Sequence, residues 1–166
     1  MLVSEGVLKW ALRSYPPLLF QRIIVTKFHK GFRGVEVKIK KSFLNNNYND
    51  SIFGGTIFSA ADPFYPVLFS QVLVHKGYKI KAWSHTAAIR FRKPAHTHLH
   101  FKITISDENI ADCERDLNTT GIHRRTFPIE IYDKNEQLCA TVLIKIYIRN
   151  LNYTRVDPDS YREVSC

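Results

Sequence analysis

Between residues 34 and 41 apolar and polar positions alternate strictly, with Val35, Val37 and Ile39 set against Glu36, Lys38 and Lys40. That period of two predicts a half-buried strand, and Gly31 and Gly34 ahead of it predict a hairpin with an earlier strand over 22–28. The alternation returns over 79–92, where Ala87, Ile89 and Phe91 face away from Ala88, Arg90 and Arg92. It returns again over 99–105, 126–132 and 137–149. Pro94 separates the first two of these strands, and Asp133, Lys134, Asn135 and Glu136 close the last two into a hairpin.

Two stretches break the pattern. Residues 3–12 put Val3, Val7, Leu8, Ala11 and Leu12 at helical spacing, and Pro16 and Pro17 end the run. Residues 45–73 form the longest apolar, non-alternating segment, led in by an Asn/Asp-rich loop and the pair Gly54, Gly55. This is the natural central helix. Residues 107–117 are acidic and predict a short helix or a covering loop. The sum is two strands, a long helix and four further strands: an α+β roll in which one helix buries the apolar face of an antiparallel sheet.

A chain of 166 residues with 45% hydrophobic and 23% charged side chains predicts one globular domain over 1–150, with 1–17 as an N-terminal helix and lead-in, and a polar tail over 151–166. Cys113, Cys139 and Cys166 are odd in number and form no CxxC, which argues against a disulfide or metal framework and fits a reducing cytoplasm. No N-terminal apolar run has the length of a signal segment, and none elsewhere is expected to reach a membrane span, so a soluble cytoplasmic protein is expected without membrane insertion. The net charge of +9 is spread over small knots at Lys38, Lys40, Lys41, at Arg90, Arg92, Lys93 and at Arg124, Arg125. Nucleic-acid binders concentrate charge on one element, so nucleic acid is the least expected partner; phosphorylated small molecules and polyanions remain open.

The candidate chemistry lies at the start of the central helix. A glycine pair there leaves backbone N–H groups open to a ligand, and the helix dipole favours negative charge. Asp62, seven residues past Gly55, is the only acid between Asp50 and Asp107. Enclosed by Phe58, Phe64 and Tyr65 it would be strengthened as a base. It also precedes Pro63, and Asp before Pro is an ordinary helix start. The two readings separate on where the helix begins: at Pro63 the carboxylate is structural, whereas from Gly55 onward Pro63 and Pro66 must kink a longer helix. The glycines could equally serve close packing, and Asn45, Asn46 and Asn47 could simply form turns. His96, His98 and His100 share one strand face at a spacing able to hold a metal, but that face lies opposite Leu99, Phe101 and Ile103, and no metal is expected. His85 and His123 read as lone surface histidines.

In order along the chain, N-x-N-Y at 45–48, FGG at 53–55, AADPFY at 60–65 and W-x-x-x-A-x-I-R-F-x-x-P-A at 83–95 resemble the hot-dog-fold thioesterase superfamily. Within it the chain is similar to a poorly characterised bacterial branch related to the phenylacetate-pathway acyl-CoA thioesterases. The resemblance runs from about Leu18 to about Arg149. It implies a hot-dog domain paired about a two-fold as a dimer or dimer of dimers, with the site between subunits. It implies an acyl-CoA or acyl-carrier substrate, with coenzyme A entering only as part of that substrate. Matched to this sequence, it implies Asp62 as nucleophile or general base, Asn47 and Ser84 as its helpers, and the amides of Gly54, Gly55 or Thr56 polarising the thioester carbonyl. Arg90, Arg92 and Lys93 are candidates for the phosphates of coenzyme A. Two departures stand out: Phe53 replaces the usual histidine before the glycines, and Asp50 stands where that branch commonly has glycine. A second reading, from a different class, is a non-catalytic acyl-ligand binding protein in which Asp62 only caps a helix.

Overall fold

The computed structural model describes residues 3–154. Ser4 caps α1 (Glu5–Ser14) by accepting the Val7 amide at 3.3 Å. Pro16 and Pro17, expected only to stop α1, also open a short helix, α2 (Pro16–Phe20), because the first turn has no use for the N–H that proline lacks. Six strands follow among the described residues: β1 (Ile23–Phe28), β2 (Gly34–Ile39), β3 (Ile80–Phe91), β4 (Leu99–Thr104), β5 (Ile122–Asp133) and β6 (Leu138–Asn150). They form one antiparallel sheet in the order β1-β2-β4-β5-β6-β3. β4 and β5 pair only at Leu99↔Asp133 and His100↔Tyr132, beyond which they splay. The acidic segment is a helix, α5 (Asp107–Thr119), started by a capping box between Ser106 and Asn109.

The central helix runs across the inner face as α3 (Gly54–Ala61) and α4 (Phe64–His75). Asp62 and Pro63 keep right-handed helical dihedrals (φ −58°, ψ −50° and φ −81°, ψ −21°), so the two segments are one bent helix. The bend has a covalent cause. In the i→i−4 ladder Pro63 and Pro66 are the residues whose N–H would bond the carbonyls of Ser59 and Asp62, and neither has one. The longer, kinked helix is therefore the one formed, and Asp62 is not its N-cap.

Residues 54–75 are 22 long with a mean hydropathy of 1.3, enough by length and composition to cross a membrane. That corrects the expectation that no stretch reaches such a span. In the fold this run is the core helix: Ala60, Ala61, Phe64, Leu68, Phe69 and Leu73 are fully buried against Ile39, Leu99, Ile131, Ile144 and Ile146 of the sheet.

His123 needs a second correction. β5 begins at Ile122, ahead of the expected Thr126, and its alternation turns His123 inward, where it is 2% exposed and packs on Phe69. Its Nδ1 pairs with Asp116 of α5 at 2.7 Å, the neighbour that makes burial of the ring tolerable. Of the expected polar tail, 151–154 turn back so that the Tyr153 hydroxyl donates to the Thr119 carbonyl, and 155–166 lie outside the described residues.

Candidate functional site

The loop into α3 is held from within by Asn45, which is 2% exposed. Its Nδ2 donates to the carbonyls of Gln21 (2.8 Å) and Lys40 (2.9 Å), its Oδ1 accepts the Ser42 amide (2.9 Å), and its carbonyl accepts the Phe53 amide (2.8 Å). These bonds fix where α3 begins. Asn47 folds the next turn: its Oδ1 accepts from the amides of Asn49 and Ser51 and from the Ser51 hydroxyl, at 2.9 to 3.1 Å. With Oδ1 so occupied, the Nδ2 group is what Asn47 can offer a ligand.

Asp50 has φ +53°, the left-handed conformation that favours glycine. Its side chain gives that turn a different lock, taking Lys41 Nζ at 2.8 Å and Asn46 Nδ2 at 3.0 Å. The Lys41 bond foremost, then that of Asn46, holds its carboxyl below the usual aspartate range.

At the helix start the third and fourth amides are consumed: Thr56 and Ile57 both donate to the Phe53 carbonyl, at 2.9 and 3.3 Å. The amides of Gly54 and Gly55 have no acceptor among the described residues. Thr56 therefore does not contribute an open donor. A Cβ on Gly54 would sit 2.9 Å from the tip of the Phe91 ring and one on Gly55 would run into the Phe53 ring, so a side chain at either position would have to displace an exposed aromatic ring. A cavity of about 340 Å³ opens here, lined by Asn47, Ser51, Gly54, Ile57, Arg92 and Lys93 among others. Ser51, Phe91 and Ala95, none of them a site candidate from the sequence, belong to its wall.

Asp62 lies outside this cavity. Eight residues beyond Gly54 it is about 12 Å further along the helix, half-exposed, with no hydrogen bond to its carboxylate among the described residues. The enclosure expected for it is not provided by one chain, because Phe64 and Tyr65 turn into the core instead. Tyr65 donates to the Pro128 carbonyl at 2.9 Å, and burial pushes its phenol up to about 12. Ser84 reaches Asp62, but at the main chain: its hydroxyl donates to the Asp62 carbonyl at 2.9 Å.

The three basic candidates part company. Arg92 and Lys93 line the cavity, Lys93 donating to Gln137 at 2.9 Å, whereas Arg90 pairs in register with Thr141 on the outer face of the sheet. The histidines do not converge: His96 meets the Asp50 carbonyl, His98 accepts the Lys41 amide, and His100 lies 3.3 Å from Glu136. Among the described residues no group of three His, Cys, Asp or Glu side chains is arranged for a metal.

The sequence matches, over residues 5–148, the family described as "Domain of unknown function (DUF4442)". The comparison with curated proteins gave no match. Among solved structures, a Pseudomonas aeruginosa protein of unknown function, described as a probable thioesterase, superposes with TM-score 0.75 at 15% identity, over 90% of this chain and 98% of that one. A Haemophilus influenzae thioesterase gives 0.67 at 12%, over 94% and 97%. The Escherichia coli PaaI protein of the phenylacetic acid degradation operon gives 0.60 at 15%, over 91% and 99%. At these identities the likeness establishes the fold, which is the hot-dog fold implied by the sequence motifs.

Proposed function

The chain belongs to the DUF4442 family of unknown function, and from its site we propose that it hydrolyses acyl thioesters, with an acyl-CoA or an acyl-carrier thioester as substrate. The observation that carries this reading is the pair of amides at Gly54 and Gly55 left without an acceptor among the described residues, with Gly54 lining a cavity beside Asn47, Arg92 and Lys93. Attack on a thioester carbonyl puts negative charge on its oxygen, and two amides at a helix N-terminus are suited to stabilise it. Water adds to the carbon as a base takes its proton, the C–S bond breaks, and the thiolate leaves to be protonated. Alternatively the carboxylate itself attacks, and water then hydrolyses the anhydride. Asn47 Nδ2 would orient the carbonyl or the water, and Arg92 and Lys93 would meet the phosphates of coenzyme A. Ser84 would act through the Asp62 main chain.

Asp62 enters through a second copy of the chain. Among the described residues β3 is a twelve-residue edge strand paired only to β6, with both Ala87 and Ala88 exposed near its middle. One part of it touches Asp62 through Ser84; its last residue, Phe91, lies over Gly54. Pairing β3 with its own copy, antiparallel about a two-fold, sets the Asp62 end of one chain beside the Gly54 end of the other. Such a dimer, or a dimer of dimers built from it, gives two shared sites. The free, buried thiols of Cys113 and Cys139 fit a reducing compartment such as the cytoplasm.

One observation favours a non-catalytic acyl-binding protein: among the described residues no hydrogen bond or ion pair orients the Asp62 carboxylate. Thiol release from acyl-CoAs of graded chain length decides between them. Turnover that rises with enzyme concentration supports hydrolysis; saturable binding of the same compounds without thiol release supports the alternative.

A further inference from the structure

The N-terminal helices present an unusual surface. Val7, Trp10, Tyr15, Leu19 and Phe20, on α1, α2 and the turn between them, are 47% to 65% exposed. Phe43 and Leu44, 88% and 50% exposed, adjoin them in space, because the two Asn45 bonds fasten that loop to the carbonyls of Gln21 and Lys40. Between α1 and the outer face of β1 and β2 runs a groove of about 660 Å³, with Trp10, Leu19 and Ile24 as its apolar part. Arg13, Arg22, Lys38 and Lys40 line the same groove, and among the described residues none of the four lies within ion-pair distance of a carboxylate. The Arg13 guanidinium lies over the Trp10 ring, 5.1 Å from its centroid, and donates from Nε to the Val25 carbonyl at 2.8 Å, which leaves its terminal nitrogens for an anion.

Aromatic and aliphatic side chains standing out among uncompensated cations are the composition that rests at a bilayer interface. Water alone gives little reason to hold four cations around exposed tryptophan and phenylalanine. The patch lies at the β1 edge of the sheet, opposite the β3 edge, so self-pairing through β3 leaves it uncovered. It also adjoins the candidate site, since the loop carrying Phe43 and Leu44 continues into Asn47 and Ser51.

We propose that this surface docks on an anionic phospholipid bilayer, with Trp10, Leu19, Phe20 and Phe43 entering the headgroup and acyl boundary and Arg13, Arg22, Lys38 and Lys40 facing lipid phosphates. The proposed mode is adsorption, because among the described residues the one helix long enough to cross is the buried core helix. The inference is independent of thioester hydrolysis and is tested without it.

The test is co-sedimentation of the full chain with phosphatidylcholine vesicles, with and without phosphatidylserine. Wild type sediments with the anionic vesicles at low salt, and the bound fraction falls as salt screens the cations. In a Trp83→Phe background, Trp10 emission shifts to the blue on binding. Trp10→Glu with Phe20→Glu lowers partitioning by about tenfold or more, and Arg22→Gln with Lys38→Gln by about fivefold per cation. The charge variant decides the matter should the apolar one fail to fold by circular dichroism. Wild type remaining in the supernatant at low salt, or variants that bind as wild type, overturns the proposal. So does a change in oligomeric state of Trp10→Glu with Phe20→Glu by sedimentation velocity, because a second copy would then be what covers the patch.

Discussion

The hydroxyl of Ser84 on β3 donates a 2.9 Å hydrogen bond to the main-chain carbonyl of Asp62, at the bend of the core helix. That carbonyl is the one whose helical donor would be the amide of residue 66, and residue 66 is proline. Ser84 thus supplies the donor that the sequence removed, and in doing so ties the candidate carboxylate to the edge strand.

A double-mutant cycle tests this substitution of one donor for another. Ser84→Ala leaves a partly buried carbonyl short of a partner and is expected to cost about 1 kcal/mol in denaturant unfolding. In a Pro66→Ala background, where the amide is restored, the same change is expected to cost clearly less, with a coupling of about 0.5 kcal/mol or more. Strict additivity would show that the bond has no such role.

Asp50 joins two requirements in one residue, a left-handed backbone and a carboxylate for Lys41. Asp50→Gly is expected to relieve the first while losing the second, leaving the thermal midpoint near wild type. Asp50→Val, β-branched at φ +53°, is expected to lower it distinctly. Equal midpoints for the two variants would count against backbone strain at this turn.

The turn between β5 and β6 gives a pH dependence with a definite sign. Asp133 accepts the amides of Gln137 and Asn135, at 3.0 and 2.8 Å, and the Gln137 bond foremost holds its carboxyl below the usual range. A folded pKa lower than the unfolded one means a stabilising contribution that is complete above about pH 4 and is lost as pH falls through the folded value. Asp133→Ser is therefore expected to be less stable than wild type at neutral pH, the gap narrowing toward pH 2. A gap that widens on acidification would reverse the assignment.

Much of this fold was legible because its signals are local. Period-two patterning marked the strands, and the unbroken apolar run marked the helix. Pro63 and Pro66 announced the bend, but not that Ser84 would satisfy it, since that bond joins residues 22 apart in sequence. His123 was misread for a related reason: its burial depends on Asp116 of another element, and no local pattern reports such a partner. At the site the sequence indicated Gly54, Gly55 and Asn47. It did not reveal that Phe53 spends the Thr56 amide, nor that Arg92 lines the cavity while Arg90 does not. Asp62 stands apart from the cavity in the single chain, which the proposed self-pairing through β3 would remedy by adding residues of a second copy that no pattern in one sequence reports.

Mixing variants tests that shared site. Asp62→Asn removes the carboxylate and Gly55→Val obstructs the amide end, so each homodimer is expected to be inactive. Subunit exchange between them regenerates one intact site per heterodimer, about a quarter of wild-type turnover at equal mixing. Heterodimers demonstrated by mass spectrometry but without regained turnover would confine the chemistry to single chains.

The most direct measurement is thiol release from an acyl-CoA panel by wild type beside Asp62→Asn, with folding of both checked by circular dichroism. Wild-type turnover that falls by at least about a hundredfold in the variant, with KM little changed, is the expected result, because on the proposed reading the carboxylate acts on the reacting atoms and not in binding. Turnover in Asp62→Asn equal to wild type, or no turnover by wild type on any chain length, would contradict the account.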